Sequence, residues 1–128
     1  MRINGGLIVA IALASSPAFA DVRHEFIPES LRGSWGAGSD GCGAGDRSMI
    51  ALSADAYERA GERCTVEWVS EIAGPTGPIY SAYSRCPSQP AGQRAAVSLI
   101  MRPEDVNRVA IGPDFENLTV YRKCPVKQ

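Results

Sequence analysis

From residue 48 onward, short apolar runs recur about every ten residues with turn residues between them, which is the pattern of a meandering antiparallel sheet. The spacing predicts strands at 48–53, 63–72, 79–86, 95–101, 108–112 and 118–124. In the second of these, Cys64, Val66, Trp68 and Ile72 fall on one face and Thr65, Glu67 and Glu71 on the other, as a half-buried strand requires. In the last, Leu118, Val120 and Cys124 alternate with Thr119, Tyr121 and Lys123. Arg122 falls on the apolar face there, where its stem could pack at a barrel rim with its head in water. Segment 54–62 is open to two readings, a helical turn after Ser53 or a bent continuation of strand, and Pro103-Glu104-Asp105 could likewise begin a helical turn. The expected fold is mainly β, a small antiparallel meander or lipocalin-like barrel.

Glycine and cysteine refine this picture. Six of the 13 glycines lie between Gly33 and Gly45, and an interior Gly costs a helix about 1 kcal/mol against Ala, so this stretch reads as a loop tied down by Cys42. The run Ala73-Gly74-Pro75-Thr76-Gly77-Pro78 is turn chemistry and implies a hairpin. Symmetric closure about residue 75 sets Cys64 opposite Cys86, Trp68 opposite Ala82 and Tyr80 opposite Ser70. Four cysteines leave several connectivities open; this register selects Cys64 with Cys86 and leaves Cys42 for Cys124, joining the glycine loop to the last strand. Two staples suit a small domain, which buries a smaller fraction of its surface on folding than a large one does.

Residues 1–20 have the form of an export signal. Arg2 precedes an apolar run at 7–14, then Ser15, Ser16 and Pro17 lead into Ala18-Phe19-Ala20, with small residues at both positions read by signal peptidase. Cleavage after Ala20 leaves residues 21–128 as a single β-rich domain. The apolar run is far shorter than the roughly 20 residues a bilayer span needs, so no membrane insertion is expected after signal removal. Disulfides and a short bacterial-type signal together point to a periplasmic or secreted protein. Removal of the signal takes one of the 13 basic residues and none of the 14 acidic ones, leaving a weakly acidic domain. Only Arg122-Lys123 with nearby Lys127 forms a basic patch, so no nucleic-acid partner is expected.

No catalytic, metal or cofactor site stands out. The single histidine, His24, lies outside every predicted strand, in a lead-in at 21–32 that would hold an imidazole poorly. Cysteine spacings of this breadth match disulfides and no zinc motif. Glu67 and Glu71 would stand about 13 Å apart on one strand face, beyond the separations glycosidases use, and cross-strand pairing of Glu67 with Tyr83 or Arg85 accounts for it. The glycine-rich stretch around Asp40 and Asp46 lacks both the Gly-Lys-Ser/Thr ending of a phosphate loop and the tandem copies of a calcium repeat. Asn117-Leu118-Thr119 is a chance glycosylation sequon, and Trp35 reads as a plug at one end of the core just ahead of the first strand.

Gly33-Ser34-Trp35, Cys42, the strand at 50–52, Cys64-Thr65-Val66, Cys86 and the closing Tyr121-Arg122-Lys123-Cys124 resemble a class of small secreted bacterial proteins with Gly-x-Trp, four cysteines and a C-terminal Tyr-x-x-Cys. That resemblance implies a scaffold and carries no activity. More distantly, a proline-bearing N-terminal arm ahead of Gly-x-Trp is similar to the periplasmic inhibitors of secreted metalloproteases, which insert such an arm into the protease cleft. That likeness implies an arm at 21–30, although those inhibitors typically carry one disulfide. The expectation is therefore an exported, non-enzymatic binding or accessory module with an unidentified partner, a protein being one candidate, and alternatively an inhibitor acting through the arm. The intact mass of the exported protein should match a chain beginning at Asp21 and lighter by four hydrogens than its reduced form; a titratable thiol in the folded protein would refute this.

Overall fold

The computed structural model describes residues 22–38, 42–43, 48–88 and 93–125. Among these residues nine strands run in order as β1 Val22–His24, β2 Gly33–Ala37, β3 Met49–Leu52, β4 Ala56–Arg59, β5 Glu62–Gly74, β6 Gly77–Ser88, β7 Gln93–Asp105, β8 Arg108–Gly112 and β9 Thr119–Lys123, with one 3₁₀ turn at Glu29–Leu31. Strands β2 to β9 form a closed antiparallel barrel of eight strands: β5-β4-β3-β2-β9-β8-β7-β6, with β6 returning to β5. β1 stands outside the ring. The long β5 shares one edge between two partners, giving 62–65 to β4 and 69–71 to β1. Among the described residues no helix is long and apolar enough to cross a membrane.

All six expected strands form. Three more form, two where no strand was expected and one in the segment open to two readings, for identifiable reasons. Segment 54–62 resolves as strand, because Ala60 and Gly61 adopt φ of 53° and 81°, the two positive values of a tight hairpin turn that pairs Arg59 with Glu62. The glycine-rich loop is corrected at its start: Gly33–Ala37 is β2, bonded to β3 and β9 on its two sides, and Trp35 lies within it and not ahead of the first strand. Ladder bonds on both edges outweigh the low strand preference of glycine. His24, placed outside every strand by its sequence context, sits in β1 opposite Val69. Pro103-Glu104-Asp105 continues β7, with the ladder shifted between Pro103 and Asp105, the kind of irregularity at which a strand tolerates proline.

The β5–β6 hairpin carries the main correction. Its turn holds two residues, Pro75 and Thr76, so Gly74 faces Gly77, Val69 faces Ala82 and Trp68 faces Tyr83, one step from symmetric closure about residue 75. Tyr80 accordingly faces Glu71, not Ser70. The register then shifts between Val66 and Trp68, with Glu67 as the extra residue, and beyond it Val66 faces Ser84 and Thr65 faces Arg85. That shift returns Cys64 to Cys86, and the two form a disulfide with Cα atoms 4.3 Å apart. The second bridge joins Cys42 to Cys124. The bulge also reverses the face on which the following residues lie. Trp68, expected in the core with Cys64 and Val66, points outward, and Val69 replaces it inside.

The interior is packed with side chains: Trp35, Ile27, Ile50, Val69, Leu99, Met101, Val109 and Ile111 are all fully buried. An eight-stranded barrel is about wide enough for its own side chains to fill. The indole N–H of Trp35 donates to the Leu31 carbonyl at 2.9 Å, which satisfies a polar group that burial would otherwise penalise. Ile27 and Leu31 enter the same core, and the Ile27 N–H donates to the Ala54 carbonyl at 2.8 Å. Residues 22–31 are thus a strand, a linker and a turn fastened to the barrel, and they do not form a free arm. In β9 Tyr121 is buried opposite Val109 and Ala37, while Val120 is exposed, the reverse of the expected faces. Leu118 and Cys124 lie just outside β9, so they could not report its alternation.

The bridge between sequence-distant ends spans 82 residues and the inner one 22. Chain entropy assigns them roughly 4.5 and 3.4 kcal/mol. Replacing Cys42 and Cys124 together with Ala is expected to lower Tm by roughly 5 °C more than replacing Cys64 and Cys86. Thermal unfolding of the two double mutants decides this. A larger loss for the inner pair would show that the cavity beside Tyr57 outweighs loop entropy.

Candidate functional site

The bulge at Glu67 builds an exposed aromatic ladder. With its face reversed, Trp68 stacks on Tyr83 of β6, ring centroids 3.8 Å apart and planes 15° from parallel. On the other side of Trp68 lies the guanidinium of Arg23, 3.8 Å from the ring centroid, a cation–π contact. β1 alternates across the barrel wall, so Arg23 shares the outer face with Trp68 while His24 shares the inner one with Val69. Three adjacent strands therefore contribute one element each to a continuous outer stack.

Beside the stack is a half-open groove of about 340 Å³, lined by Glu67, Trp68, Tyr83, Arg85, Val97 and Ser98 among others. Tyr83 keeps 39% of its surface exposed, and the β7 positions that share its outer face, opposite it and Arg85, are the small residues Ser98 and Ala96. Arg85 donates through Nε to Glu67 Oε1, so the groove carries a compensated ion pair at its edge, as expected for Glu67 and Arg85 from their strand positions. β7 adds a further feature. Its pairing with β8 begins at Ile100, whereas its pairing with β6 extends back to Gln93. Among the described residues, the second edge of 95–99 has no strand partner, and Ala95, Ala96 and Val97 are exposed.

At one end of the inner face, His24 Nε2 lies 2.8 Å from Glu71 Oε1, and the His24 and Tyr80 rings are 6.3 Å apart. Glu71 is thus half-buried and paired on the inner face, opposite in direction to Glu67; the two do not share the wet face expected of them. Burial, and then the charge of Glu71, raise the Tyr80 phenol above its ordinary value of 10.0. Tyr57, opposite Cys64, is also raised by burial, partly offset by a hydrogen bond with Ser84 and by the Arg59 charge. Its hydroxyl lies 3.4 Å from Cys86 Sγ, directly beside the inner disulfide. No group of three or more metal-ligating side chains occurs among the described residues.

Of the features expected from sequence, all four cysteines take their assigned partners. Asp21, Asp40, Asp46, Lys127 and the signal expected at 1–20 lie outside the described residues. The aromatic groove was not foreseen. Its one legible sign is the apolar pair Val66 and Val69, which a regular strand cannot put on one face and a bulge between them can. Comparison of the chain with protein-family models, with curated proteins and with solved structures finds no match.

The tyrosine environments make a signed prediction. Both phenols ionise later in the folded protein than in the unfolded chain, so their contribution to stability is present below pH 10.0 and is lost as the pH rises beyond it. Ultraviolet titration should show Glu71→Gln moving one late phenol to lower pH and Ser84→Ala moving another to higher pH. An unchanged titration curve in Glu71→Gln would contradict the geometry at Tyr80.

Proposed function

We propose that this is an exported, non-enzymatic binding module of the bacterial periplasm that receives an extended segment of a protein partner. The observation that carries the reading is the Trp68–Tyr83 stack turned outward beside a groove that borders the open edge of β7. Aromatic residues and arginine are the groups most enriched at contact hot spots, and an unpaired strand edge supplies main-chain donors and acceptors to an incoming strand. Two disulfides agree with an oxidising compartment, and the signal-like residues 1–20 supply the route there. The groove's carboxylate is tied to Arg85, and His24 is tied to Glu71, so the visible polar groups serve to hold structure. An inhibitor acting through residues 21–30 has less support, because Val22–His24 is paired with β5 and Ile27 and Leu31 are in the core.

A photo-crosslinking residue at position 96 in the exported protein should capture a periplasmic protein, and a crosslinker at exposed Phe115 should not capture the same species. Tyr83→Ser should cut the yield at position 96 at least tenfold while thermal unfolding and the disulfide pattern stay intact. Capture that is equal at both positions, or insensitive to Tyr83→Ser, would overturn the proposal. Release of the crosslinked partner as a cleaved fragment would replace the non-enzymatic reading with a proteolytic one.

A further inference from the structure

A second groove, of about 360 Å³, lies between the β7–β8 turn and β9 and is lined by Asp105, Val106, Asn107, Arg108, Arg122 and Lys123. Its defining feature is register: Arg108 of β8 and Arg122 of β9 are directly opposed across the ladder. Opposed side chains start from Cβ atoms about 5 Å apart, and like charges so placed destabilise a sheet. On its other side Arg122 faces Gly36 of β2, which presents no side chain to compete for space or for the charge. Three cations meet one carboxylate here, in a chain whose formal net charge is −1.

That carboxylate is already engaged. Asp105 Oδ2 accepts from Arg108 Nε at 2.8 Å and Oδ1 from the Asn107 N–H at 2.8 Å, and these bonds hold its carboxyl below the usual range. Asp105 therefore offsets Arg108 and leaves the charges of Arg122 and Lys123 unopposed within the groove. Lys123, opposite Trp35 in the ladder, holds Nζ 5.7 Å from that ring centroid, on the other face of β9 from Arg122, and reaches the groove at the strand end. Asp114 and Glu116 sit in the β8–β9 connection, at the far end of that hairpin. Among the described residues no ion pair is made by Arg122 or Lys123.

We infer that this groove binds a phosphate group. A surplus of two positive charges matches a phosphomonoester, which carries about −1.5 to −2 near neutral pH and offers oxygens to planar guanidinium forks. Arg122 is the principal contact, Arg108 contributes the N–H groups not spent on Asp105, Lys123 adds charge, and the Asn107 side-chain amide can donate at the edge. The same chemistry could come from a soluble phosphomonoester or a lipid headgroup; Val106, 80% exposed at the turn, stands where acyl chains would meet the protein.

The test is titration of the folded, oxidised protein with inorganic phosphate at constant ionic strength, followed by backbone amide shifts, with chloride as the reference anion. Saturable shifts at Asn107, Arg108, Arg122 and Lys123 are expected, weakened at least tenfold by Arg122→Gln. Arg63→Gln, which removes the same charge from a distant pair with Glu58, should leave the affinity unchanged. Vesicles of phosphatidic acid, whose headgroup is a phosphomonoester, and of phosphatidylcholine form the second arm. Binding to the former that is lost in Arg122→Gln identifies a lipid headgroup, and phosphate binding without vesicle binding identifies a soluble ligand. Shifts matched by chloride, equal losses in Arg63→Gln and Arg122→Gln, or no binding in either arm would overturn the site.

Discussion

The residue the molecule turns on is Glu67, inserted into β5 where β6 has no counterpart. A two-residue turn at Pro75-Thr76 commits the hairpin to a register in which Cys64 would oppose Pro87. One extra residue in β5 cancels the offset and delivers Cys64 to Cys86, closing the inner disulfide. The same insertion reverses side-chain direction, so Val69 enters the core and Trp68 leaves it. Covalent closure and the outer aromatic ladder are consequences of a single backbone irregularity, which is why both depend on the β5–β6 pairing being complete.

Filling of the barrel decides where recognition can occur. Trp35 occupies the interior with its N–H satisfied by Leu31, and Ile27 and Leu31 pack against it from the segment that links β1 to β2. The eight-stranded barrel therefore encloses a packed core among the described residues, and the two grooves described above are formed outside it. The N-terminal segment supports this arrangement from both sides of the wall: Arg23 covers Trp68 outside, and His24 meets Glu71 inside. Loss of β1 would uncover the ladder and leave Glu71 half-buried without its partner, a costly position for a carboxylate.

The small formal charge of the chain hides a sorted surface. Arg63, Arg85, Arg102 and Arg108 each hold a nearby carboxylate, in exposed pairs that individually contribute little stability. At the end of β9, Arg122 makes no such pair among the described residues; it faces Arg108 across the ladder and glycine on its other side. An arrangement that costs folding energy and leaves charge uncompensated is intelligible if an anion completes it. The aromatic groove and the basic groove sit at opposite ends of β7 and differ in chemistry, so a partner strand and a phosphate, if bound as proposed, would not compete for the same groups.

Much of the fold was legible in the chain. Apolar runs and turn residues located six strands, the Gly-Pro run located the central hairpin, and broad cysteine spacing specified disulfides, because each depends on local backbone preference or on chemistry carried by the residue itself. Even the pairing of Cys64 with Cys86 emerged from assumed hairpin symmetry, although the actual route combines an offset turn with a compensating bulge. What the sequence left open depends on neighbours that are distant along the chain. β2 is glycine-rich and becomes strand only because β3 and β9 bond both its edges, and β1 exists because β5 is long enough to share an edge. Trp68 and Tyr121 were assigned to the wrong faces for the same reason: alternation gives the period of a strand but not its phase, which a bulge can reverse and which only packing against the opposite wall selects. The opposition of Arg108 and Arg122 is likewise a fact of register between strands, invisible to any reading of one strand alone.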